Sequence, residues 1–168
     1  FELRNGPFDT CYFEDDDPTP HRIDGYQTDG LFDLGMNYLR DGRDAARPFC
    51  MVISVEPPHD PFAAPEELQN AWEQRDITLP PNFEAEDDNH RNQLIRDRQR
   101  YNAMVENLDA NVGRLRSFLA EHDLADDTVL VFLSDHGELA GAHGLRAKQW
   151  PYEESVGIPL IVYDPRHS

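Results

Sequence analysis

Three short runs of aliphatic and β-branched residues, FCMVISV at 49–55, VLVFL at 129–133 and IPLIVYD at 158–164, alternate with segments of helical period. Continuous apolar runs of this length are expected for strands covered on both faces. Their alternation with helices restricts the chain to an α/β fold with a largely parallel sheet flanked by helices. The clearest helix lies between the first two runs. Tyr101, Val105, Leu108, Val112, Leu115 and Leu119 recur at spacings of four, three, four, three and four, with Glu106, Asp109, Asn111, Arg114 and Arg116 on the other faces. Met104 and Phe118 read as packing on the flank of this stripe. A second helix is expected from Thr28, a good N-cap followed by Asp29, with Leu31, Leu34, Tyr38 and Leu39 on one face.

The remaining organisation follows from these elements. Residues 1–27, rich in Asp, Pro and Gly, read as loop or linker, with Asp15, Asp16 and Asp17 as a solvated acidic turn. Residues 28–72 read as helix, strand and a histidine-bearing loop, closed by a short helix that Pro65, Glu66 and Glu67 open. Residues 73–92 form an acidic, proline-bearing insertion loop, and 93–168 carry the long helix, the second strand, a glycine-rich loop and the last strand. The alternation runs to the final residues without a closing element, so the chain reads as part of a larger fold.

Charge limits the partners. The formal net charge is -18, with 33 acidic residues against 15 basic ones, so a general nucleic-acid or anionic-membrane binder is disfavoured. An anionic substrate would need local positive charge, and the chain has a single lysine, Lys148. No apolar run approaches the roughly 18 residues of a membrane span. Cys11 and Cys50 have no metal-type spacing and read as unpaired thiols.

Function concentrates at two strand ends, where open α/β sheets hold ligands. The run 129–133 opens into Ser134, Asp135 and His136, and Gly137, Gly141 and Gly144 then free the backbone to fold closely around whatever the polar groups bind. Lys148 returns a positive charge to the same neighbourhood. The run 49–55 opens into EPPHDPF, where prolines near His59 exclude helix and present its imidazole from a stiff loop. Together these groups suit a metal and an anionic substrate. His143 reads as a pocket or loop-ordering residue, Glu138 and Glu153 as loop or helix-start residues, and Trp150 and Tyr152 as site walls or packing aromatics.

In order and spacing, PPHDPF, the run from Tyr101 through NLDANVGRL, VLVFLSDHGELAGAHGLRAK and YEESVGIPLIVYDP resemble the central and C-terminal part of the catalytic domain of type I sulfatases, in the alkaline phosphatase superfamily. GYQTDGLFDLGMNYL fits the region before them, so the resemblance spans roughly residues 22 to 165 and implies an alkaline phosphatase-like fold present as a fragment. It implies that Asp135 and His136 are ligands of one divalent ion, calcium first, with manganese or magnesium as alternatives. It also implies that Lys148 contacts the sulfate group and His59 the sulfate or the departing ester oxygen, both catalytic and substrate-binding roles. The expected substrate is a sulfate-ester small molecule or a sulfated glycan.

One part of the family pattern has no counterpart here. Sulfatases attack with a formylglycine made from Cys or Ser in a Cys-X-Pro-Ser-Arg-like motif, and neither CYFED at Cys11 nor CMVIS at Cys50 fits it. The expectation is therefore that the missing N-terminal part of the same catalytic domain supplies the nucleophile, and that this chain alone is inactive. A phosphonate monoester or phosphodiester hydrolase of the same superfamily is the nearest alternative. A noncatalytic sulfatase-like binding module is the alternative from another class.

Overall fold

A computed structural model of the chain describes residues 6–167. The order of elements is β1 (Thr10–Tyr12), β2 (His21–Ile23), α1 (Gln27–Asn37), α2 (Glu66–Glu73), α3 (Asp88–Glu121), β3 (Leu130–Leu133), α4 (Glu153–Val156) and β4 (Leu160–Tyr163). A five-residue π-helical turn, Tyr38–Gly42, continues α1, and short 3₁₀ turns lie at Ala125–Asp127 and Pro165–His167.

α3 is the organising element. Its N-cap is Asp87, whose Oδ1 accepts the His90 N–H at 2.8 Å. Leu108, Leu115, Phe118 and Leu119 bury against Phe32, Met36 and Leu39 from α1 and the π turn, forming the main core. Nearer its start, Ala103 and Met104 close a second cluster over Ala64, with Phe62, Leu68 and Trp72 packed around them. The apolar stripe therefore differs from the expected one. Met104 is buried at 1% exposure, whereas Val105 is 41% exposed.

Asn111, expected on an outer face, and its neighbour Asn107 are buried because α1 presents a partner. Their side-chain amides donate to Asp29 Oδ1 at 2.7 and 2.9 Å respectively. Asn111 Oδ1 in turn accepts from Arg114 at 2.7 Å, and Arg114 pairs with Asp33, so one polar clasp ties α1 to α3. Buried donors and acceptors are costly when unpaired, which fixes the register of the two helices. Replacing Asn111 with Ala is expected to cost about 1–3 kcal/mol in urea unfolding. The loss should be non-additive with Asp29→Asn, since both changes act on one bond.

α1 begins at Gln27 with Tyr26, not Thr28, at its N-cap position; Thr28 lies fully buried inside the first turn. The Tyr26 hydroxyl donates to the Ala63 carbonyl at 3.0 Å, and burial above all pushes its phenol up to about 12. The buried face is Phe32, Met36 and Leu39, while Leu31, Leu34 and Tyr38 border a groove against residues 51–54. Of the expected face only Leu39 is buried, because the helix meets the core through Phe32 and Met36.

Two further expectations change. Residues 10–23, expected to be irregular, contain an antiparallel hairpin in which Thr10 faces Ile23 and Tyr12 faces His21. Its short strands are joined through an acidic turn with Asp15 at φ 47° and are held by the Tyr12–His21 ring stack and the Arg22–Asp9 pair. Strands of three residues leave little periodicity to read.

One strand pair also runs against the expected parallel direction. Among the described residues, β3 pairs with β4 antiparallel, Leu130 opposite Tyr163 and Leu133 opposite Leu160. A parallel pair needs a crossover connection. Here the chain leaves the end of β3 and re-enters β4 at the same end, with only the four-residue α4 between them. Residues 49–55 run extended without a ladder partner among the described residues. They still alternate as a strand does: Phe49, Met51, Ile53 and Val55 pack on the helical core, and Val52 is 84% exposed. Leu130 and Phe132 of β3 join the same core, so helices cover one side of the strands. No helix among the described residues is long and apolar enough to cross a membrane.

Candidate active site

The end of β3 folds into a tight polar turn. Ser134 Oγ donates to the His136 carbonyl at 2.7 Å, and Asp135 Oδ1 accepts the His136 N–H at 2.9 Å. These bonds leave the Asp135 carboxylate 85% exposed at the strand end. His136 Nδ1 donates to the Gly137 carbonyl at 2.8 Å, and Nε2 lies 3.5 Å from Asp135 Oδ2. Partial desolvation pushes the Asp135 carboxyl up, but the His136 imidazole, backbone N–H groups and the Lys148 charge outweigh it and hold the group below the usual carboxylate range.

A carboxylate oxygen and an imidazole lone pair on adjacent residues are donors that a divalent cation accepts. Among the described residues no group of three or more His, Cys, Asp or Glu side chains is arranged to hold a metal ion. Asp135 and His136 therefore fit such an ion only as two members of a shell completed from elsewhere.

His59 and Lys148, 89 residues apart, are brought together: Lys148 Nζ lies 2.8 Å from His59 Nε2. The ammonium donates, so Nε2 accepts and the ring proton sits on Nδ1. That proton points to the Asp60 carbonyl at 2.7 Å, with Asp60 Oδ1 at 3.2 Å. The prolines around His59 shape a loop closed by the His59 N–H bond to the Glu56 carbonyl at 3.0 Å.

Residues 138–147 connect the Asp135–His136 turn to Lys148. Ala140, Gly141, His143, Gly144 and Ala147 all take positive φ, which is costly for the three that are not glycine. Glu138 Oε1 offsets part of this by accepting the N–H groups of Ala140 at 3.1 Å and Ala147 at 2.7 Å. Gly137 is required for close approach, since a Cβ there would fall well inside contact distance of the Glu154 carbonyl oxygen and 2.9 Å from that of Gly157. Its N–H donates to the Ser155 carbonyl at 2.8 Å, and Ser155 Oγ donates to the Lys148 carbonyl at 2.6 Å.

Asn82, Phe83 and Glu84 pack on this loop. Phe83 forms a bridge with Ala142, and Asn82 Nδ2 donates to Glu154 Oε1 at 2.6 Å and faces His143 Nε2 at 3.0 Å. His143 stacks on Tyr152 with ring centroids 3.9 Å apart, which makes it a loop-ordering residue in this geometry. The Asn82 amide, more than any other group, holds the Glu154 carboxyl below its usual range. Asn82 and Ser155 carry no sequence signal of their own: one sits in an irregular acidic loop, the other in a helix of four residues.

The sequence model of the Sulfatase family matches residues 4–168. The chain belongs to the Sulfatase family. Human iduronate 2-sulfatase is 32% identical over 156 residues, a match covering 76% of this chain and 28% of that protein. The structure is similar to that of a Bacteroides fragilis sulfatase, with a TM-score of 0.85 and 27% identity over 95% of this chain and 36% of the other. It shares its fold with the phosphonate monoester hydrolase of Agrobacterium radiobacter, with a TM-score of 0.71 and 24% identity over 84% of this chain and 33% of the other. The chain is thus part of an alkaline phosphatase-like α/β fold. It spans about a third or less of the length of the curated relatives it matches.

Proposed function

We propose that these 168 residues are part of a metal-dependent sulfatase that hydrolyses sulfate esters of small molecules or glycans, and that the formylglycine nucleophile comes from sequence outside them. The observation that carries this reading is the Lys148–His59 contact at 2.8 Å, in a chain of the Sulfatase family. Cleavage of an ester S–O bond builds negative charge on the leaving oxygen, and a fixed ammonium beside an imidazole answers that charge. Lys148 is a compact point charge for sulfate oxygens. Its proton lies on a short path to His59 Nε2, so either group can deliver it to the departing alcohol. The Asp60 carbonyl and carboxylate at Nδ1 stabilise the imidazolium that the second route needs.

Asp135 and His136 would hold the divalent ion, calcium first with manganese or magnesium as alternatives, and such an ion would neutralise charge on the sulfate group. The acidic surface is consistent with a substrate recognised by this local positive charge rather than by a basic face.

The shared fold with a phosphonate monoester hydrolase supports a second reading, because the same donors suit a phosphonate or phosphate diester. Matched aryl sulfate and aryl phosphonate esters, assayed on the full-length protein, separate the two. Sulfate turnover above phosphonate turnover is the expected result, and phosphonate turnover far above sulfate reverses the assignment. Loss of both activities, together with a gene lacking any formylglycine motif, would leave a sulfatase-like binding module.

A further inference from the structure

We propose that Glu138 and Ser155 are positioning residues for Lys148, with Glu138 acting as a hydrogen-bond acceptor and not as an acid, a base or a metal ligand. Lysine has a flexible four-carbon stem, so a tip held 2.8 Å from His59 requires a fixed base. Both sides of that base are anchored. On the N-terminal side, Glu138 Oε1 holds the N–H of Ala147, and the Ala147 carbonyl accepts the Leu139 N–H at 2.9 Å. Ala147 has φ 63° and Ala140 has φ 44°, so the two N–H groups that Glu138 binds belong to residues in the left-handed region. The carboxylate thus stabilises a backbone that alanine resists.

On the C-terminal side Ser155, only 4% exposed, joins the two halves of the site. Its hydroxyl holds the Lys148 carbonyl, and its own carbonyl holds Gly137, the residue after His136. One buried residue, through its hydroxyl and its backbone carbonyl, therefore links the lysine to the Asp135–His136 turn. Asn82 braces the same short helix through Glu154. Glu138 Oε1 meets backbone N–H groups, to which a neutral amide oxygen of the same shape can also bond, though less strongly.

This inference rests on the sulfate-ester reading only for what a positioned lysine does. Its test uses the full-length protein labelled with ¹³Cε-lysine, the Lys148 resonance being assigned by its loss in Lys148→Arg, alongside aryl sulfate kinetics. Ser155→Ala and Glu138→Ala should shift the Lys148 resonance and lower kcat by at least about tenfold with KM within about threefold. Glu138→Gln, which keeps the acceptor, should stay within about threefold of the parent on both measures. A Glu138→Gln variant as impaired as Glu138→Ala would overturn the acceptor role. An unmoved lysine resonance and parental kcat in Ser155→Ala would overturn the anchor. Should Glu138→Ala not fold, Glu138→Gln and Ser155→Ala decide the matter. If no sulfate ester is hydrolysed, the sulfate reading fails while the resonance still tests the positioning.

Discussion

Gly137→Ala is expected to destabilise the protein by about 3 kcal/mol and to lower sulfate-ester kcat/KM by about a hundredfold, measured by urea unfolding and steady-state kinetics. The cause is steric. The added methyl would meet the carbonyl oxygens of Glu154 and Gly157, which are backbone atoms and cannot swing aside as the end of a side chain does. Relief requires α4 to move away from the β3 end, and α4 carries Ser155, the holder of Lys148. Gly113→Ala is the control: a Cβ there meets nothing within 4 Å on an exposed face of α3, so helix propensity should make that variant more stable by up to about 1 kcal/mol. Equal effects at the two positions would show that the Gly137 contact does not constrain the site.

The contrast between these glycines shows what sequence could and could not convey. Gly137, Gly141 and Gly144 were legible as residues that let a loop close on polar groups, because they follow a strand ending in Asp135 and His136. What they close against was not legible, because Ser155 and Asn82 arrive from 18 and 55 residues away on elements with no strong period of their own. The long helix was legible over its apolar stripe, yet its buried face rotated toward Met104, Asn107 and Asn111. That face is set by Asp29 across the α1 contact, a pairing that exists only once both helices are packed. The direction of the β3–β4 pair was not legible for a similar reason: apolar runs report burial, whereas pairing direction depends on where the connection returns. The four residues singled out for the site lie on loops that follow apolar runs, where chemistry and local context agree. Their grouping into a Lys148–His59 contact and an Asp135–His136 turn is information the structure adds.

That grouping has a kinetic consequence. Lys148→Ala and His59→Ala are each expected to lower kcat/KM for an alkyl sulfate by roughly a thousandfold, and the double variant should be little worse than either single one. Removing Lys148 takes away both the charge on the sulfate and the proton donated to His59 Nε2; removing His59 leaves the lysine proton without its 2.8 Å acceptor. Groups that share a proton act as a unit, and their losses do not add. The leaving group supplies the internal check. An ester whose alcohol departs readily needs little protonation, so His59→Ala should be far less damaging on a nitrophenyl sulfate than on an alkyl sulfate, while Lys148→Ala, which would also lose the proposed sulfate contact, should remain damaging on both. Strict additivity of the two substitutions on every substrate would mean that the imidazole and the ammonium act on separate atoms, and the shared-proton mechanism would then be wrong.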